Sequence, residues 1–340
     1  MTARKGFSPT IAVVVCTRDR SLLLGRCLAA LASLDYPAYH VLVVDNAPGD
    51  ESSREVALHW GVQYVVEPVR GLSRARNRGA RACEAEIVAY LDDDAVAEPD
   101  WLTLLAQDFA DDRVAAVTGA ILPINPAARN AAIERGAERG PWRVVGRETP
   151  HWFEIANFGD LGDESNMAFR RGIFDVWPGF DERLGRGAFL EGGEGHYAFF
   201  ELIERGYRIV YNPQAIVRHP YARTMEEMRS RHLSLLATTS AYITRLAMEH
   251  PSCRQVLAQY ILDRLRGTPR PWTNRSERAG PHIAPRWLNL LAMLSGPWIY
   301  LRSRMAARPK AGNYETEAGS FATSQVRGAA PRHKTFRLES

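Results

Sequence analysis

Ile87-Val-Ala-Tyr-Leu-Asp-Asp-Asp94 decides the fold, because a short apolar run leads directly into three consecutive carboxylates. A run of this length that is closed by polar residues predicts a strand buried on both faces, as in a parallel sheet. Two earlier runs have the same form, Ile11-Ala-Val-Val-Val-Cys16 before Thr17-Arg-Asp19 and Val41-Leu-Val-Val44 before Asp45-Asn46. The sequence therefore predicts three buried strands that each present polar side chains at the carboxyl end.

Predicted helices alternate with predicted strands over residues 11–118. The expected helices begin at Ser21, near Glu51, at Ser73 and at Pro99, and two further strands are expected over 62–66 and 114–118. Ser21 and Ser73 are of a residue type that caps helix N-termini. This alternation predicts a doubly wound, mostly parallel α/β sheet flanked by helices, which binds its ligands at the carboxyl ends of the strands.

The regular alternation stops near residue 121. Beyond it the sequence predicts a short strand near 167–169, strands over 206–210 and 215–217 around a turn at Asn212-Pro213, and a long helix over 225–248. We therefore expect a first domain over 1–222, a C-terminal helical extension over 223–308 and a disordered tail over 309–340.

The composition is that of an ordinary globular protein, with 46% hydrophobic and 24% charged residues among 340. The 43 basic and 39 acidic side chains give a net charge of +4, which argues against a nucleic-acid partner. The four cysteines form no CxxC pair, so the sequence predicts neither a zinc site nor a disulfide framework. The first apolar run is too short for a signal peptide, and we expect a cytoplasmic protein.

The segment 286–304 carries an apolar stripe at helical spacing, with arginines at both ends. Its apolar members are Trp287, Leu290, Leu291, Leu294, Trp298 and Leu301, its basic members are Arg286, Arg302 and Arg304, and Pro297 interrupts it. One interpretation is that the stripe packs against the first domain. The other is that the helix lies in the plane of a membrane, which would put the protein at the inner face of that membrane.

The adjacent carboxylates Asp92, Asp93 and Asp94 have a direct chemical implication, because such crowding of negative charge calls for a cation. Carboxylates suit hard divalent ions such as Mg²⁺ and Mn²⁺, which in turn bind phosphate oxygens. The structural alternative is an acidic turn that caps the following helix. Asp45 and Asn46 have a similar alternative, because both residue types are common in turns.

The order of these motifs resembles the family 2 inverting glycosyltransferases, which have a GT-A fold. The resemblance covers residues 11–219 and includes the three strand ends, Gly71-Leu-Ser-Arg-Ala-Arg-Asn-Arg-Gly79 and Gly179-Phe-Asp-Glu-Arg-Leu-Gly185. It implies a GT-A domain in which residues 10–120 bind a nucleoside diphosphate sugar and residues 121–222 face the acceptor. The implied acceptor is a glycan, a glycolipid or another glycoconjugate.

The resemblance also implies roles for individual residues. The residues expected at the donor are Thr17, Asp19, Asp45, Arg76, Asn77, Asp92 and Asp93. The expected cofactor is Mg²⁺ or Mn²⁺, held by Asp94, Asp92 and His219. Asp163 and Asn166 are expected to line the acceptor pocket. Two of these residues have a second interpretation, Arg76 as a surface arginine and His219 as a structural histidine.

The general base is the weakest part of the resemblance. An inverting transfer needs a group that takes the proton of the acceptor hydroxyl, and in this family the group tends to lie in a Glu-Asp pair that begins a helix. Here the corresponding segment is Glu191-Gly-Gly-Glu194-Gly195-His196, so glycine replaces the aspartate of the Glu-Asp pair. Glu194 is the first candidate, Glu191 the second and His196 the third, whereas the structural alternative for Glu194 is a helix cap.

The predicted function is therefore the metal-dependent transfer of a sugar from a nucleoside diphosphate sugar. Gly195 favours one alternative, a pseudoenzyme that binds the donor but lacks the base. A second alternative, a sugar-nucleotide nucleotidyltransferase, is disfavoured because Thr17-Arg-Asp-Arg-Ser21 contains no glycine. A dinucleotide oxidoreductase is disfavoured because no GxGxxG turn follows the first strand.

Overall fold

The computed structural model describes residues 8–124, 140–159, 161–162, 164–220, 224–268 and 283–306. Asp163 and the predicted tail over 309–340 lie outside the described residues. The described residues belong to one compact unit that spans residues 1–307. The domain boundary near residue 222 stays a prediction.

The described strands form one nine-stranded sheet. They are β1 (Ile11–Thr17), β2 (Tyr39–Asn46), β3 (Gln63–Glu67), β4 (Ile87–Asp92), β5 (Val96–Ala97), β6 (Val114–Pro123), β7 (Arg143–Val145), β8 (Asn166–Arg170) and β9 (Arg208–His219). The order across the sheet is β3-β2-β1-β4-β8-β6-β9-β5, and β7 also pairs with β9. Six strands run in one direction, which confirms the mostly parallel sheet, whereas β5, β7 and β8 run in the opposite direction.

The helices flank this sheet and continue beyond it. They are α1 (Ser21–Leu31), α2 (Ser52–His59), α3 (Leu72–Ala82), α4 (Trp101–Asp108), α5 (Trp152–Phe158), α6 (Glu194–Glu204), α7 (Met225–Glu249), α8 (Arg254–Arg266) and α9 (Arg286–Ala306). The predicted C-terminal helix is therefore present as α9, and Pro297 lies inside it. Within the described ranges, none of the helices has a stretch long and apolar enough to cross a membrane.

The sheet has a hydrophobic core on each face. Alternate residues of β1 point to opposite sides, so Val13 and Val15 join one core while Val14 joins the other. The first core contains the apolar faces of α1 and α4, and the second contains those of α5 and α6. Burial on both faces explains why β1, β2 and β4 are almost continuously apolar.

Two details of the fold differ from the sequence prediction. Ser21 and Ser73 do not cap their helices, because α1 begins directly after Arg20 and α3 directly after Gly71. Ser73 instead donates a hydrogen bond from Oγ to Leu184 O at 2.7 Å. The turn predicted at Asn212-Pro213 is an irregularity inside one long strand, β9, where the register against β6 shifts.

The helices α7 and α9 pack against each other. A Cβ atom on Gly296 would lie 2.5 Å from the backbone nitrogen of Ala241, so the two helices approach closely at this glycine. Ser240 Oγ also donates a hydrogen bond to Met293 O at 2.6 Å. The helix α7 also contacts α5, which flanks the sheet, because Tyr242 donates a hydrogen bond to Asn157 Oδ1 at 2.6 Å.

Candidate functional site

Polar side chains gather at the edge of the sheet where its parallel strands end. Thr17 at the end of β1 is in register with Asp45 on β2, and Cys16 is in register with Asp92 on β4. Neighbouring strands lie about 4.8 Å apart, so these strand ends form one continuous surface. His219, the last residue of β9, reaches the same edge.

Asp92, Asp94 and His219 form a group that can hold a metal ion, because one ligand atom from each lies within 4.8 Å of the others. His219 Nε2 lies 3.0 Å from Asp94 Oδ1 and 3.6 Å from Asp92 Oδ2. The other ring nitrogen, Nδ1, lies 2.8 Å from Pro220 O. A donor hydrogen bond to that carbonyl fixes the ring so that Nε2 faces the two carboxylates.

Arg20 was not predicted as a site residue, yet it binds the acidic triplet directly. Its Nη1 donates a hydrogen bond to Asp93 Oδ1 at 2.6 Å, and its Nη2 donates one to Asp94 Oδ2 at 2.5 Å. Thr17 Oγ1 donates to the other oxygen of Asp93 at 2.7 Å. Three adjacent carboxylates need compensating charge, and this requirement is the signal in the sequence that points to a nearby arginine.

The pKa values of the cluster differ because their surroundings differ. Burial raises the pKa of Asp93 to about 6, although the hydrogen bond from Thr17 and the charge of Arg20 oppose the shift. Burial also acts to raise the pKa of Asp94, but His219 and Arg20 outweigh it and hold that pKa well below its usual range. Burial acts to lower the pKa of His219, yet hydrogen bonds to Asp92 and Asp94 raise it to about 10.

Asp45 is fully buried at the end of β2. Tyr64 donates a hydrogen bond to its Oδ2 at 3.0 Å, whereas its buried Oδ1 has no hydrogen-bond partner among the described residues. Burial raises the pKa of Asp45. An uncompensated buried oxygen at a strand end is an acceptor that a ligand can satisfy.

Asp19 holds two loops together at the same edge. It has a left-handed backbone conformation, with a φ of 54°, and its Oδ1 accepts a hydrogen bond from Gly49 N at 2.7 Å. The loop after β1 is thereby tied to the loop after β2. Asn46 connects the end of β2 to the start of α3, because its Oδ1 accepts a hydrogen bond from Gly71 N at 2.8 Å.

Arg76 lies buried on α3 beneath the metal-ligand group, not on the surface. Its Nη1 donates a hydrogen bond to Glu194 Oε1 at 2.9 Å, and its Nη2 donates one to Glu164 O at 3.2 Å and lies 3.8 Å from Asp92 Oδ1. A Cβ atom on Gly79 would lie 2.4 Å from Val14 Cγ1, so α3 rests directly on β1. The pKa of Arg76 is raised, because these acidic groups outweigh its burial.

The side-chain amides of Asn77 and Asn166 are occupied by protein partners. The amide of Asn77 donates a hydrogen bond to Phe180 O and accepts one from Phe180 N, each at 2.8 Å, so both ends are occupied. Asn166 donates to Ala120 O and Ala215 O and accepts from the indole of Trp101. Both side chains are buried and connect strands to loops, and the donor role of Asn77 and the acceptor role of Asn166 stay predictions.

The helix α6 begins with Glu194, which is only 2% exposed. Its Oε1 is paired with Arg76, and its buried Oε2 has no hydrogen-bond partner in the part of the chain that the structure describes. Glu164 lies against the same helix start, where its Oε1 accepts a hydrogen bond from Gly195 N at 2.9 Å. Glu191 is exposed in the preceding turn and His196 is partly buried.

Comparisons with known proteins identify related glycosyltransferases and a similar fold. A family model described as glycosyl transferase family 2 matches residues 12–177. The chain is similar to a mannosyltransferase from Pyrobaculum calidifontis that was solved in complex with GDP-Man and Mn²⁺. The TM-score is 0.54 at 20% sequence identity, over 89% of this chain and 77% of the other. This likeness confirms the predicted GT-A fold.

Three curated relatives carry glycosyltransferase names. A pre-mycofactocin glycosyltransferase of Mycobacterium tuberculosis is 29% identical over 71% of this chain, which spans about half (48%) of that protein's length. A glucosyl-dolichyl phosphate glucuronosyltransferase of Haloferax volcanii is 28% identical over 62% of this chain and 68% of its own length. An O-antigen chain rhamnosyltransferase of Salmonella anatum is 26% identical over 56% of this chain and 60% of its own length. Residues 12–177 thus match glycosyl transferase family 2, and the relatives and the fold together indicate a glycosyltransferase.

Proposed function

We propose that this protein transfers a sugar from a nucleoside diphosphate sugar to a hydroxyl group of an acceptor, with inversion at the anomeric carbon and with Mg²⁺ or Mn²⁺ as cofactor. One observation carries the proposal: Asp92, Asp94 and His219 converge at a strand edge that also contains buried Asp45. A cation there can bind phosphate oxygens, while the buried carboxylate accepts hydrogen bonds from the nucleoside.

The chemistry of the side chains fits a divalent cation. Two carboxylates supply the oxygen ligands that Mg²⁺ and Mn²⁺ prefer, and the imidazole of His219 favours Mn²⁺ of the two, because Mg²⁺ is bound almost entirely by oxygen. When bound, the cation would offset the negative charge that develops on the departing nucleoside diphosphate. Arg20 would keep Asp93 and Asp94 positioned for this purpose, since it binds both.

The proposed donor site uses the ends of β1 and β2. Asp45 Oδ1 is a buried acceptor with no hydrogen-bond partner within the described ranges, so a base N–H or a ribose hydroxyl would satisfy it. Thr17 and Asp93 would line the site together, because they share a hydrogen bond. Asp19 would hold the loop beside the nucleoside, and Arg76 would support Asp92 from below.

The acceptor is proposed to be a glycan or a glycolipid. The support comes from the relatives, one of which is named for glucosyl-dolichyl phosphate and another for the O-antigen chain. Their names specify different sugars, glucuronosyl and rhamnosyl, so the donor sugar of this protein has to be found by experiment.

A second part of the proposal concerns α9, which would lie on an anionic membrane surface. The exposed side chains of its apolar stripe are Trp287, Leu290, Leu291, Leu294, Trp298, Leu301 and Met305. These positions fall on one face of a helix, opposite the face that contains buried Tyr300 and Ser303. Arginines at both ends of the stripe complement anionic lipid headgroups, and tryptophan is favoured at the membrane interface. A glycolipid acceptor would then be reached from its own membrane.

The experiment that tests the function is nucleotide release from a panel of UDP-, GDP- and dTDP-sugars, with Mn²⁺, with Mg²⁺ and with EDTA. We expect one nucleotide class to be released with a divalent cation and not with EDTA. Binding without release, even when acceptors are supplied, would support the pseudoenzyme alternative. Release of pyrophosphate from a nucleoside triphosphate and a sugar phosphate would support the nucleotidyltransferase alternative.

A further inference from the structure

Glu164 occupies the space that a side chain at position 195 would need. A Cβ atom built on Gly195 would lie 2.4 Å from Cγ of Glu164, which is far inside van der Waals contact. Residues 164 and 195 come from different elements, the loop before β8 and the first turn of α6. Only one of the two positions can therefore carry a full side chain in this arrangement.

Glu164 is connected to the metal-ligand group through a single guanidinium. Its backbone oxygen accepts a hydrogen bond from Arg76 Nη2 at 3.2 Å, and the same nitrogen lies 3.8 Å from Asp92 Oδ1. Its carboxylate lies at the start of α6, where Oε1 accepts a hydrogen bond from Gly195 N at 2.9 Å.

Glu164 and Glu194 differ in accessibility. The side chain of Glu194 is 2% exposed and its Oε1 is held in an ion pair with Arg76, so it offers an acceptor hydroxyl less accessible surface than a partly buried side chain does. Glu164 is only partly buried. A general base must come within hydrogen-bond distance of the proton that it removes, and this requirement favours Glu164 over Glu194.

We propose that Glu164 is the general base of this protein, with Glu194 and Arg76 as a positioning pair beneath it. The inference rests on the proposed function. The acceptor oxygen forms a bond to the anomeric carbon, the bond from that carbon to the diphosphate oxygen breaks with its electron pair, and the acceptor proton goes to the Glu164 carboxylate. A side chain from another element thus supplies the carboxylate that Gly195 lacks.

The first test is Glu164→Gln. The glutamine amide oxygen can still accept the hydrogen bond from Gly195 N, so the start of α6 is preserved while the proton acceptor is lost. We expect kcat for transfer to fall about 10²- to 10⁴-fold, with unchanged Mn²⁺-dependent affinity for the donor in calorimetry. The matched control is Glu227→Gln, because Glu227 also interacts with backbone N–H at a helix start, in the capping box of α7.

The second test exchanges the two positions. Glu164→Gly should be inactive, and Gly195→Asp alone should lower the melting temperature because it forces Glu164 aside. The double variant Glu164→Gly, Gly195→Asp removes the overlap and returns a carboxylate to nearly the same place. We expect it to regain at least tenfold of the transfer lost by Glu164→Gly.

The outcomes separate this inference from the proposed function. If native protein neither binds nor turns over any donor, the proposed function fails. If native protein is active but Glu164→Gln retains its kcat, or loses donor affinity together with kcat, Glu164 is not the base. Loss of kcat in Glu191→Gln, with Glu164→Gln active, would assign the role to Glu191.

Discussion

At the scale of single residues, basic side chains close to the acidic triplet offset part of its negative charge. In the described part of the chain, two cationic side chains contact the triplet within 3.6 Å. They are Arg20 and protonated His219. A divalent cation would compete with the proton on His219, because a metal-bound imidazole must be neutral. Metal binding and protonation are therefore alternatives at this site.

The variant Asp94→Ala tests the assignment of the metal ligands. Asp94 lies 3.0 Å from His219 Nε2, so its removal leaves one carboxylate and the imidazole. We expect transfer to fall at least about a hundredfold and Mn²⁺ binding to be lost in calorimetry. The matched control is Asp112→Ala, whose side chain is 93% exposed before β6 at the opposite edge of the sheet. Equal loss in both variants would contradict the assignment.

A buried charge cluster joins two elements, the loop over 179–185 and α7. Arg245, 1% exposed, donates a hydrogen bond to Asp181 and another to Glu249 Oε2 at 3.3 Å, and its guanidinium lies 4.1 Å from the ring centroid of Tyr197. Burial acts to raise the pKa of Asp181, but Arg183 and Arg245 lower it to about 2. The ionised carboxylate thus holds Arg245, and with it α7, against the loop over 179–185.

The variant Asp181→Asn should destabilise the protein in a pH-dependent way. The folded pKa of Asp181 is below its ordinary value of 3.8, so its contribution is complete above that value and is lost as the pH falls towards about 2. We expect a loss of about 3 kcal/mol at pH 7, shrinking between pH 5 and pH 2, measured by urea unfolding. Asp175→Asn removes an exposed pair with Arg171 and should cost less than about 1 kcal/mol. A loss that is independent of pH would contradict this account.

The stripe on α9 gives a second prediction at the element scale. We expect native protein to sediment with vesicles that contain phosphatidylserine, and less at high salt. Leu294→Glu places a charge in the middle of the stripe and should weaken binding at least about tenfold, since burying one leucine contributes about 1.5–3 kcal/mol. Leu22→Glu is the control, because Leu22 is 84% exposed on α1 and outside the stripe. Equal weakening by both variants, or no binding by native protein, would refute the membrane proposal.

Most elements were predictable from the sequence, but their pairing was not. The apolar runs identified β1, β2 and β4 because these strands are buried on both faces, and the same local pattern located α1 and α9. The insertion of β8 between β4 and β6 was not predictable, since antiparallel pairing between residues 75 to 83 apart leaves no local pattern in either strand. The helix α8 was missed as well, because many of its residues are exposed and its sequence is rich in arginine and glutamine.

At the scale of the whole molecule, the sequence predicted which residues lie at the strand ends of the candidate site, but not the contacts between distant segments. Asp45 and the acidic triplet were predictable because polar residues at the ends of parallel strands must meet at one edge. The charge of the triplet signals a nearby arginine but not which one, since Arg20 taken singly resembles any surface arginine. The overlap of Glu164 with position 195 depends on two segments 31 residues apart, so only the folded chain reveals it.

Donor binding should stabilise the whole sheet, because the proposed ligand contacts come from β1, β2, β4 and β9. A ligand at 100 times its dissociation constant adds about 2.7 kcal/mol to folding, which corresponds to a rise in melting temperature of about 4 °C for a unit of this size. We expect this rise for one of UDP, GDP or dTDP together with Mn²⁺, in a single calorimetric transition. The same nucleotide with EDTA should give a smaller shift, and Asp94→Ala should show no difference between Mn²⁺ and EDTA. If no nucleotide shifts the transition of native protein, the strand edge is not a nucleotide site; if the shift is equal with Mn²⁺ and EDTA, the nucleotide binds there without the cation, and the metal-dependent part of the mechanism fails.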